Sequence, residues 1–378
     1  MSRAAGTRWR PQGRDERLLA VALVGGFFSG LLVTIFHDRL PEQFNRDANR
    51  IYGIASGAMG DYADQSYTPV GLIYRFLLLG ESPLAAGLFG YFVATFAIVL
   101  AVLRAGRRTA SWPTAALVFG AFVLSAVYLG QYSKDLFVLF PVMLLVLLPR
   151  AAMWDLLGLA GMGLYAFFFR DYWFLILITY VGYRVLSLRQ VRLRYLLLAG
   201  SLAAVLGGLG FYLLMGLDPN HFRTVVQDHL HANTEIIPLV PLPQPSGGLV
   251  DVFLNYWLLF APVILLVTAG IAYLPIIVGF SFLKVWPLLT ARSSRRWPPI
   301  RSLDGALVRR ALSLLLATAV VQALFEPDYG SALRHVTPLM PLMIVLVQSM
   351  RSGSRRVEPS ASWSWSGAGV SRGINGDV

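Results

Sequence analysis

The sequence contains no cysteine, and this absence excludes disulfide bonds, thiolate catalysis and cysteine–metal sites. Its five histidines, His37, His221, His229, His231 and His335, show no spacing typical of metal ligands. A glycine-rich phosphate loop of the P-loop type is also missing. We therefore expect no metal and no cofactor. Any catalysis has to come from carboxylate, imidazole, ammonium and guanidinium groups.

Charged residues are scarce as well. They make up 14% of the 378 residues, whereas about a quarter is usual in soluble domains. Hydrophobic residues make up 56% and fall in long runs, each near the ~20 residues that a helix needs to cross a bilayer. The predicted spans are residues 18–36, 84–103, 114–132, 136–149, 152–169, 172–188, 195–216, 256–283, 306–325 and 336–350. The first run lacks a signal-peptide cleavage site, so we expect it to be retained.

These runs predict an all-α fold, a polytopic transmembrane helical bundle of about ten spans, because only helices satisfy their own backbone groups in lipid. The bundle forms one domain over residues 1–350, with long outer loops at 38–83 and 218–249. A surface helix is expected at 250–258, before the eighth span. The tail, 351–378, is rich in Ser, Gly and Arg and is predicted to be disordered and cytoplasmic.

Basic residues are divided unevenly between the two sides of this bundle. With the N-terminus inside, 24 of the 32 Lys and Arg fall on the inner side and eight on the outer side. The positive-inside rule then predicts that both termini are cytoplasmic. The net charge of +12 is explained by insertion, so we expect no nucleic-acid partner. Fourteen of the 20 acidic residues fall on the outer side, which insertion does not require.

Ionisable side chains near lipid are costly, so those at the outer helix ends are functional candidates. The clusters are Asp47 with Arg50, Lys134 with Asp135, Arg170 with Asp171, and Glu326 with Arg334 and His335. Arginine and lysine suit phosphate, and histidine exchanges a proton near neutral pH. Each cluster has a structural alternative: an interfacial helix for the first, and turns with snorkelling or helix-capping charges for the others.

The second outer loop adds Arg223, His229 and His231 as candidate acceptor-binding or lid residues. The two histidines face the same way only in an extended chain, and a zinc site there is a less favoured alternative. Residues 238–245 carry four prolines, too many for a helix or a central strand. We expect this segment to form a lid over the outer cavity.

The chain resembles Wzy/EpsG-like polysaccharide repeat-unit polymerases, within the wider GT-C-type membrane glycosyltransferases. The motifs that carry the resemblance are Asp47-Ala-Asn-Arg-Ile-Tyr52, Gly60-Asp61-Tyr62 with Tyr67, Ser133-Lys134-Asp135, Arg170-Asp171-Tyr172, and Gly330-Ser331-Ala332-Leu333-Arg334-His335. The family often has Glu where Asp135 stands here. An Arg followed by Tyr or Pro at the third place is also common in the family, and Asp171 interrupts that pattern.

The resemblance implies that a glycan linked to undecaprenyl pyrophosphate reacts on the outer face of a bacterial cytoplasmic membrane. It assigns catalysis to Asp47, His335 and Glu326, with Asp47 or His335 as the base. It assigns substrate or diphosphate binding to Arg50, Lys134, Asp135, Arg170, Asp171 and Arg334. The implied partners are the polyprenyl-linked glycan, membrane lipids and other envelope-polysaccharide assembly proteins.

Three other functions fit the same sequence. A GT-C enzyme with a polyprenyl-monophosphate sugar donor would use an acid in the first outer loop, such as Asp38 or Asp47. A transporter or flippase of lipid-linked substrates more often carries charge pairs and broken helices at the bilayer midplane, and no span shows a clear pair. A non-catalytic scaffold would use the outer charges only to recruit partners.

Overall fold

The computed structural model describes residues 12–60, 66–105, 111–149, 152–227, 234–293 and 303–354. The regular structure in these ranges is helical, apart from one isolated antiparallel bridge between Glu235 and Asp328. The α-helices are α1 (Gln12–Ile35), α2 (Arg46–Ser56), α3 (Tyr67–Phe76), α4 (Pro83–Arg104), α5 (Trp112–Tyr128), α6 (Leu139–Leu147), α7 (Ala152–Phe169), α8 (Trp173–Leu188), α9 (Leu193–Met215), α10 (His221–Gln227), α11 (Ser246–Leu258), α12 (Leu265–Thr268), α13 (Leu274–Ser293), α14 (Leu303–Phe325), α15 (Tyr329–Val336) and α16 (Met340–Ser354).

Six helical stretches of the described chain are long and apolar enough to cross a membrane. They are Asp15–Ile35, Pro83–Arg104, Leu193–Met215, Ile271–Ala291, Gly305–Phe325 and Tyr329–Met350. Three shorter apolar helices are Trp112–Tyr128, Met153–Phe169 and Trp173–Leu188. These helices support the predicted multi-pass helical membrane protein. The count of ten spans and the side of each terminus stay predictions, since the terminal residues 1–11 and 355–378 lie outside the described ranges.

Two predicted spans have the wrong bounds. The run at 256–283 is not one helix, because α11 ends at Leu258 and α13 begins only at Leu274 and continues to Ser293. The prediction ended this span before Lys284, since a lysine is costly in lipid. In the structure α13 carries Lys284 in its interior, where the amide of Gln322 accepts its hydrogen bond.

The run at 136–149 contains only the nine-residue α6, after a 3-10 turn at Lys134–Val138. A helix is present at residues 250–258, within α11, and it packs against α9 and α14; its position at a membrane surface stays a prediction.

Helices α14 and α16, near the end of the described chain, form the centre of the bundle. The candidate span in α14 is 94% buried, whereas that in α1 is only 28% buried. α14 packs against α8, α9 and α16, and α16 also packs against α4 and α13. Apolar side chains surround α14 on all sides, which is typical of a core helix in a membrane bundle.

Close contact between α4 and the end of α5 positions the first half of the site. Gly87 and Gly90 on α4 face the backbone at Leu129 and Gly130. A Cβ at Gly87 would lie 2.7 Å from the carbonyl oxygen of Gly130, so only glycine allows this approach. The chain that leaves this contact continues directly into Ser133, Lys134 and Asp135.

Candidate functional site

Ionisable side chains from four distant segments meet at one end of the bundle. This end, which we call the site end, is where α7 and α14 finish and where α8 and α15 begin. The 3-10 turn Lys134–Val138 lies between them, and α2 and α3 of the first long loop lie alongside. The sequence clusters at Asp47, Asp135, Arg170 and Arg334 are therefore one site.

Asp135 is the centre of this site. Its oxygens accept from two arginines: Oδ1 lies 3.0 Å from Nη2 of Arg170, and Oδ2 lies 2.6 Å from Nε of Arg334. The hydroxyl of Ser133 caps the turn by accepting from the Asp135 backbone N–H at 3.2 Å. Burial by itself raises the pKa of Asp135, but the charges of Arg170 and Arg334 outweigh it and hold the pKa well below its usual range. Asp135 is thus a permanent anion between two guanidinium groups.

Arg334 connects this centre to the first outer loop. Its Nη1 donates to Oδ2 of Asp47 at 2.6 Å, while the hydroxyl of Tyr67 donates to the other oxygen, Oδ1, at 2.7 Å. Burial alone raises the pKa of Asp47, but Arg334, Lys134 and these hydrogen bonds together hold it well below its usual range. A carboxylate with so low a pKa is a weak base.

His335 lies between Glu326 and Arg170. Its Nδ1 is hydrogen-bonded to Oε1 of Glu326, and its Nε2 lies 2.7 Å from Nη1 of Arg170. Arginine can only donate, so Nε2 carries no proton in this arrangement and the Nδ1–H donates to Glu326. The same Nη1 donates to the hydroxyl of Tyr172 at 2.6 Å. His335 is thus a neutral imidazole held by a carboxylate, as in general-base catalysis.

In the structure, one carboxylate oxygen of Glu326 has a hydrogen-bond partner and the other has none. Burial raises its pKa, but the hydrogen bond that it accepts from His335 lowers the pKa below its usual value. Its second oxygen, Oε2, is buried with no hydrogen-bond partner in the structure. A buried oxygen of this kind is typical of a position that water or a ligand group occupies.

Two further cations surround Tyr67. Lys134 donates to the hydroxyl of Ser66 at 3.1 Å, and its Nζ lies 4.0 Å from the centre of the Tyr67 ring. The guanidinium of Arg50 lies 5.7 Å from the same ring. Both distances fit cation–π contacts. The sequence analysis paired Lys134 with Asp135, but in the structure the carboxylate of Asp135 faces the two arginines.

Around Asp135, the side chains that are partly exposed are those of Arg334, Asp47 and His335. The side chains of Arg334 and Asp47 are each 20% exposed and that of His335 is 16% exposed, whereas Asp135 is only 2% exposed. Of the two arginines bound to Asp135, Arg334 is therefore the more accessible to an incoming anion, and Asp135 holds both guanidinium groups from the buried side.

Other predicted site residues lie elsewhere. Asp171 is exposed. The carboxylate that binds Arg170 is Asp135, in the 3-10 turn before α6. Arg223 is buried against α14, where its Nη2 donates to the carbonyl of Ala323 at 2.8 Å. Burial lowers the pKa of Arg223 to about 10, although Asp251 and other anions counteract this. His229, His231, Asp61 and Tyr62 lie outside the described residues.

The residues just before the predicted lid segment, 238–245, bond to the turn that carries Glu326. We call residues 234–245 the strap. Within it, the Ile236 N–H donates to the Pro327 carbonyl at 2.9 Å. Asp251 of α11 accepts from the backbone N–H groups of Leu239 and Val240 at 2.8 and 3.1 Å. The strap is thus fixed at one end to the site turn and at the other to α11.

A second charged cluster, at the opposite end of the same helices, is one that the sequence analysis missed. Asp155 of α7 accepts from Arg184 of α8 at 2.7 Å and from Arg310 of α14 at 2.5 Å. Arg310 also donates to the carbonyls of Leu148 and Pro149, which stabilises the C-terminal end of α6. Arg310 falls within the predicted span 306–325, and hydropathy alone does not show its buried partner.

Comparisons with protein-family models, curated proteins and solved structures found no match to this chain.

The arrangement itself limits the chemistry of the site. No group of three or more metal-binding side chains occurs in the described part of the chain. What the site does offer is paired guanidinium groups, a neutral imidazole on a carboxylate and an exposed face at a helix end. These groups can bind an anion and accept a proton beside it.

Proposed function

We propose that the chain is a membrane glycosyltransferase of the polysaccharide-polymerase type. It would join glycan repeat units that are linked to undecaprenyl pyrophosphate, on the outer face of a bacterial cytoplasmic membrane. The observation that supports this proposal best is the arrangement of Arg170 and Arg334 around Asp135, with His335 beside them. It combines anion binding and proton acceptance at the end of a membrane bundle, where a lipid-linked diphosphate would present its head group.

The two arginines would bind the diphosphate of the donor. Each guanidinium is held by a carboxylate in the ligand-free protein, so its position is set before substrate arrives. As the bond between the anomeric carbon and the diphosphate oxygen breaks, the electron pair moves to the diphosphate. Guanidinium groups stabilise this developing charge electrostatically, and Arg334 is the more exposed of the two.

His335 would accept the proton of the attacking hydroxyl. The acceptor oxygen forms the new bond to the anomeric carbon, and its proton passes to Nε2, while Glu326 stabilises the imidazolium through Nδ1–H. Nε2 becomes available when Nη1 of Arg170 bonds to the diphosphate instead, while Nη2 stays on Asp135. Of the two candidate bases, His335 is favoured over Asp47, because the low pKa of Asp47 makes it a poor proton acceptor. Asp47 then acts by orienting Arg334.

A polymerisation assay in proteoliposomes tests this proposal. The substrate is a lipid-linked repeat unit, and the readout is polymer yield and length. We expect Arg334→Gln and His335→Gln each to reduce the rate by about 100-fold or more, and the exposed neighbour Asp171→Asn to leave it unchanged. Well-folded Arg334→Gln and Arg170→Gln proteins with full polymer yield and length would contradict the proposal.

The same preparation distinguishes the alternatives. Addition of a single sugar from a polyprenyl-monophosphate donor would indicate the monophosphate-dependent GT-C enzyme. Movement of the lipid-linked unit across the bilayer without joining would indicate a flippase. Either result in place of polymer growth would overturn the polymerase assignment.

A further inference from the structure

A small cavity lies inside the bundle between α13, α14 and α16, and two polar side chains contribute to its wall. These are Lys284 of α13 and Gln322 of α14, while the rest of the lining is apolar. The cavity has a volume of about 30 Å³, which is room for one or two water molecules. It is therefore a place where ordered water can bond to a buried ammonium group.

Lys284 is deeply buried. It is 7% exposed and lies in a candidate membrane span, where an ammonium group is costly unless charge or hydrogen bonds compensate it. The ammonium donates to Oε1 of Gln322 at 3.0 Å and lies 4.7 Å from the centre of the Phe280 ring. Among the described residues, the charged group that acts on it electrostatically is the carboxylate of Glu326.

Glu326 follows directly on the face of α14 that lines this cavity. Leu315, Ala319 and Gln322 belong to the lining, and their spacing of four and three residues puts them on one side of the helix. Glu326 continues this series four residues later, and its backbone N–H donates to the Gln322 carbonyl. Glu326 is therefore one helical turn beyond the amide that binds Lys284.

Both charges are buried, and each has bonding capacity left. The Lys284 ammonium has three N–H donors and uses one of them for Gln322. Oε2 of Glu326 has no hydrogen-bond partner among the described residues. The Gln322 amide is fixed by the donation of its Nε2 to the Ala332 carbonyl of α15 at 3.0 Å. Opposite charges in such an arrangement offset part of each other's burial cost.

We infer that Lys284 is a positioning residue for the Glu326–His335 pair. Its ammonium charge stabilises the Glu326 carboxylate from inside the membrane span, through Gln322 and through the one or two waters that the cavity holds. The stabilised carboxylate accepts the Nδ1–H of His335 and so leaves Nε2 without a proton. The inference rests on the proposed function only in taking His335 as the base, and the coupling between the two charges does not depend on it.

Other charged or titratable groups also face the Glu326–His335 pair, and Lys284 differs from them in its place. It lies inside the bundle and binds Gln322, so its charge stays where it is when substrate binds, whereas Arg170 exchanges a partner in the proposed reaction. The other groups are Asp135 of the 3-10 turn, Arg170 and Tyr172 before α8, Arg223 of α10, and Asp328 and Arg334 at α15.

A double-mutant cycle, measured by thermal unfolding in a neutral detergent, tests the coupling of the two charges. Lys284→Met and Glu326→Gln each leave the opposite charge buried alone, so each should lower Tm. The double variant removes both charges, and its loss of Tm should be smaller than the sum of the single losses by about 2 °C or more. Additive losses would overturn the inference. If Lys284→Met does not fold, the equally neutral but polar Lys284→Gln replaces it.

Asp155 provides the matched control cycle. It is a carboxylate that binds arginine at the opposite end of α14, far from the cavity. The losses of Tm in Asp155→Asn and Lys284→Met should therefore add in the double variant. A departure from additivity as large as that for Glu326 would mean that any weakening of the bundle has this effect, and it would also overturn the inference.

The pH dependence of polymerisation in proteoliposomes distinguishes a positioning role from a structural one. Loss of a nearby positive charge makes an imidazole easier to protonate. In Lys284→Met the fall in rate on the acidic side should therefore begin at a higher pH, by about half a unit or more. A structural role would lower the rate by the same factor at every pH. An unshifted profile in a polymerising variant would refute the positioning role.

The two measurements also separate this inference from the proposed function. Coupling in the Lys284–Glu326 cycle of a protein that forms no polymer would contradict the proposed function and leave the charge coupling in place. Additive losses in a protein that does form polymer would overturn this inference alone.

Discussion

Arg334 donates from Nε to Oδ2 of Asp135 over 2.6 Å, although 199 residues separate the two in the chain. This bond joins the turn before α6 to α15. Because Asp135 also binds Arg170, one buried carboxylate holds three parts of the bundle together at the site end.

Replacement of Asp135 by Asn should destabilise the protein strongly. The substitution removes the carboxylate charge that pairs with both Arg170 and Arg334, and breaking a buried ion pair costs about 3–5 kcal/mol. Thermal or denaturant unfolding in detergent measures the change. The exposed Asp171→Asn is the matched control and should change the stability by less than about 0.5 kcal/mol. Equal stability of the two variants would show that Asp135 does not hold the site together.

The free energy of unfolding should also decrease as the pH falls into the acidic range. Asp47 and Asp135 have pKa values in the folded protein below their ordinary values, so the unfolded chain binds more protons in acid. Their stabilisation is complete above the unfolded pKa of about 3.9, and it is lost as the pH falls further, towards the folded pKa. Unfolding measured between pH 7 and pH 2.5 should show this loss below about pH 4.

A variant assigns the acid-dependent loss to the site. Asp47→Asn should be less stable than the wild type at pH 7, and the difference should narrow in acid as the wild-type carboxylate is protonated. A difference that stays constant from pH 7 to the most acidic point would mean that Asp47 is not stabilised as an anion.

The two functions of Tyr67 can be separated by substitution. Its hydroxyl donates to Asp47, and its ring lies beneath the ammonium of Lys134. Tyr67→Phe removes the hydrogen bonds of the hydroxyl but keeps the ring, and it should cost about 1 kcal/mol or somewhat more. Tyr67→Leu also removes the ring face and should cost more, by about 2 kcal/mol for a buried cation–π contact in addition to the lost ring packing. If Tyr67→Phe and Tyr67→Leu destabilised the protein equally, the ring contact with Lys134 would contribute nothing to stability.

The strap should loosen when Asp251 is changed. Asp251 accepts from Leu239 N–H and Val240 N–H, and its other oxygen accepts from the Asn220 amide at 3.0 Å. Asp251→Ala leaves these donors unpaired, so hydrogen exchange should become faster in residues 234–245. Amides in α4 serve as the internal control and should not change. Unaltered exchange would show that two backbone hydrogen bonds are sufficient to hold the strap. These run from Ile236 N–H to the Pro327 carbonyl and from Tyr329 N–H to the Thr234 carbonyl.

The sequence by itself determined the class of the fold and the chemistry available at the helix ends. Long apolar runs can only be satisfied as helices in lipid, so the membrane bundle followed from composition. The sequence also marked Asp47, Asp135, Arg170, Glu326, Arg334 and His335 as unusual, because charged groups at a membrane edge require partners.

Only the tertiary structure decided which of these residues are partners. Neighbours in the sequence, such as Arg170 and Asp171, were the natural pairs to predict, yet Arg170 binds Asp135 and His335 instead. The reason is that an adjacent pair at a turn points in different directions, while helix packing brings distant turns together. Lys284 shows the same limit, since hydropathy treats a lysine as the end of a span. Whether it lies inside depends on a partner such as Gln322, which is 38 residues away.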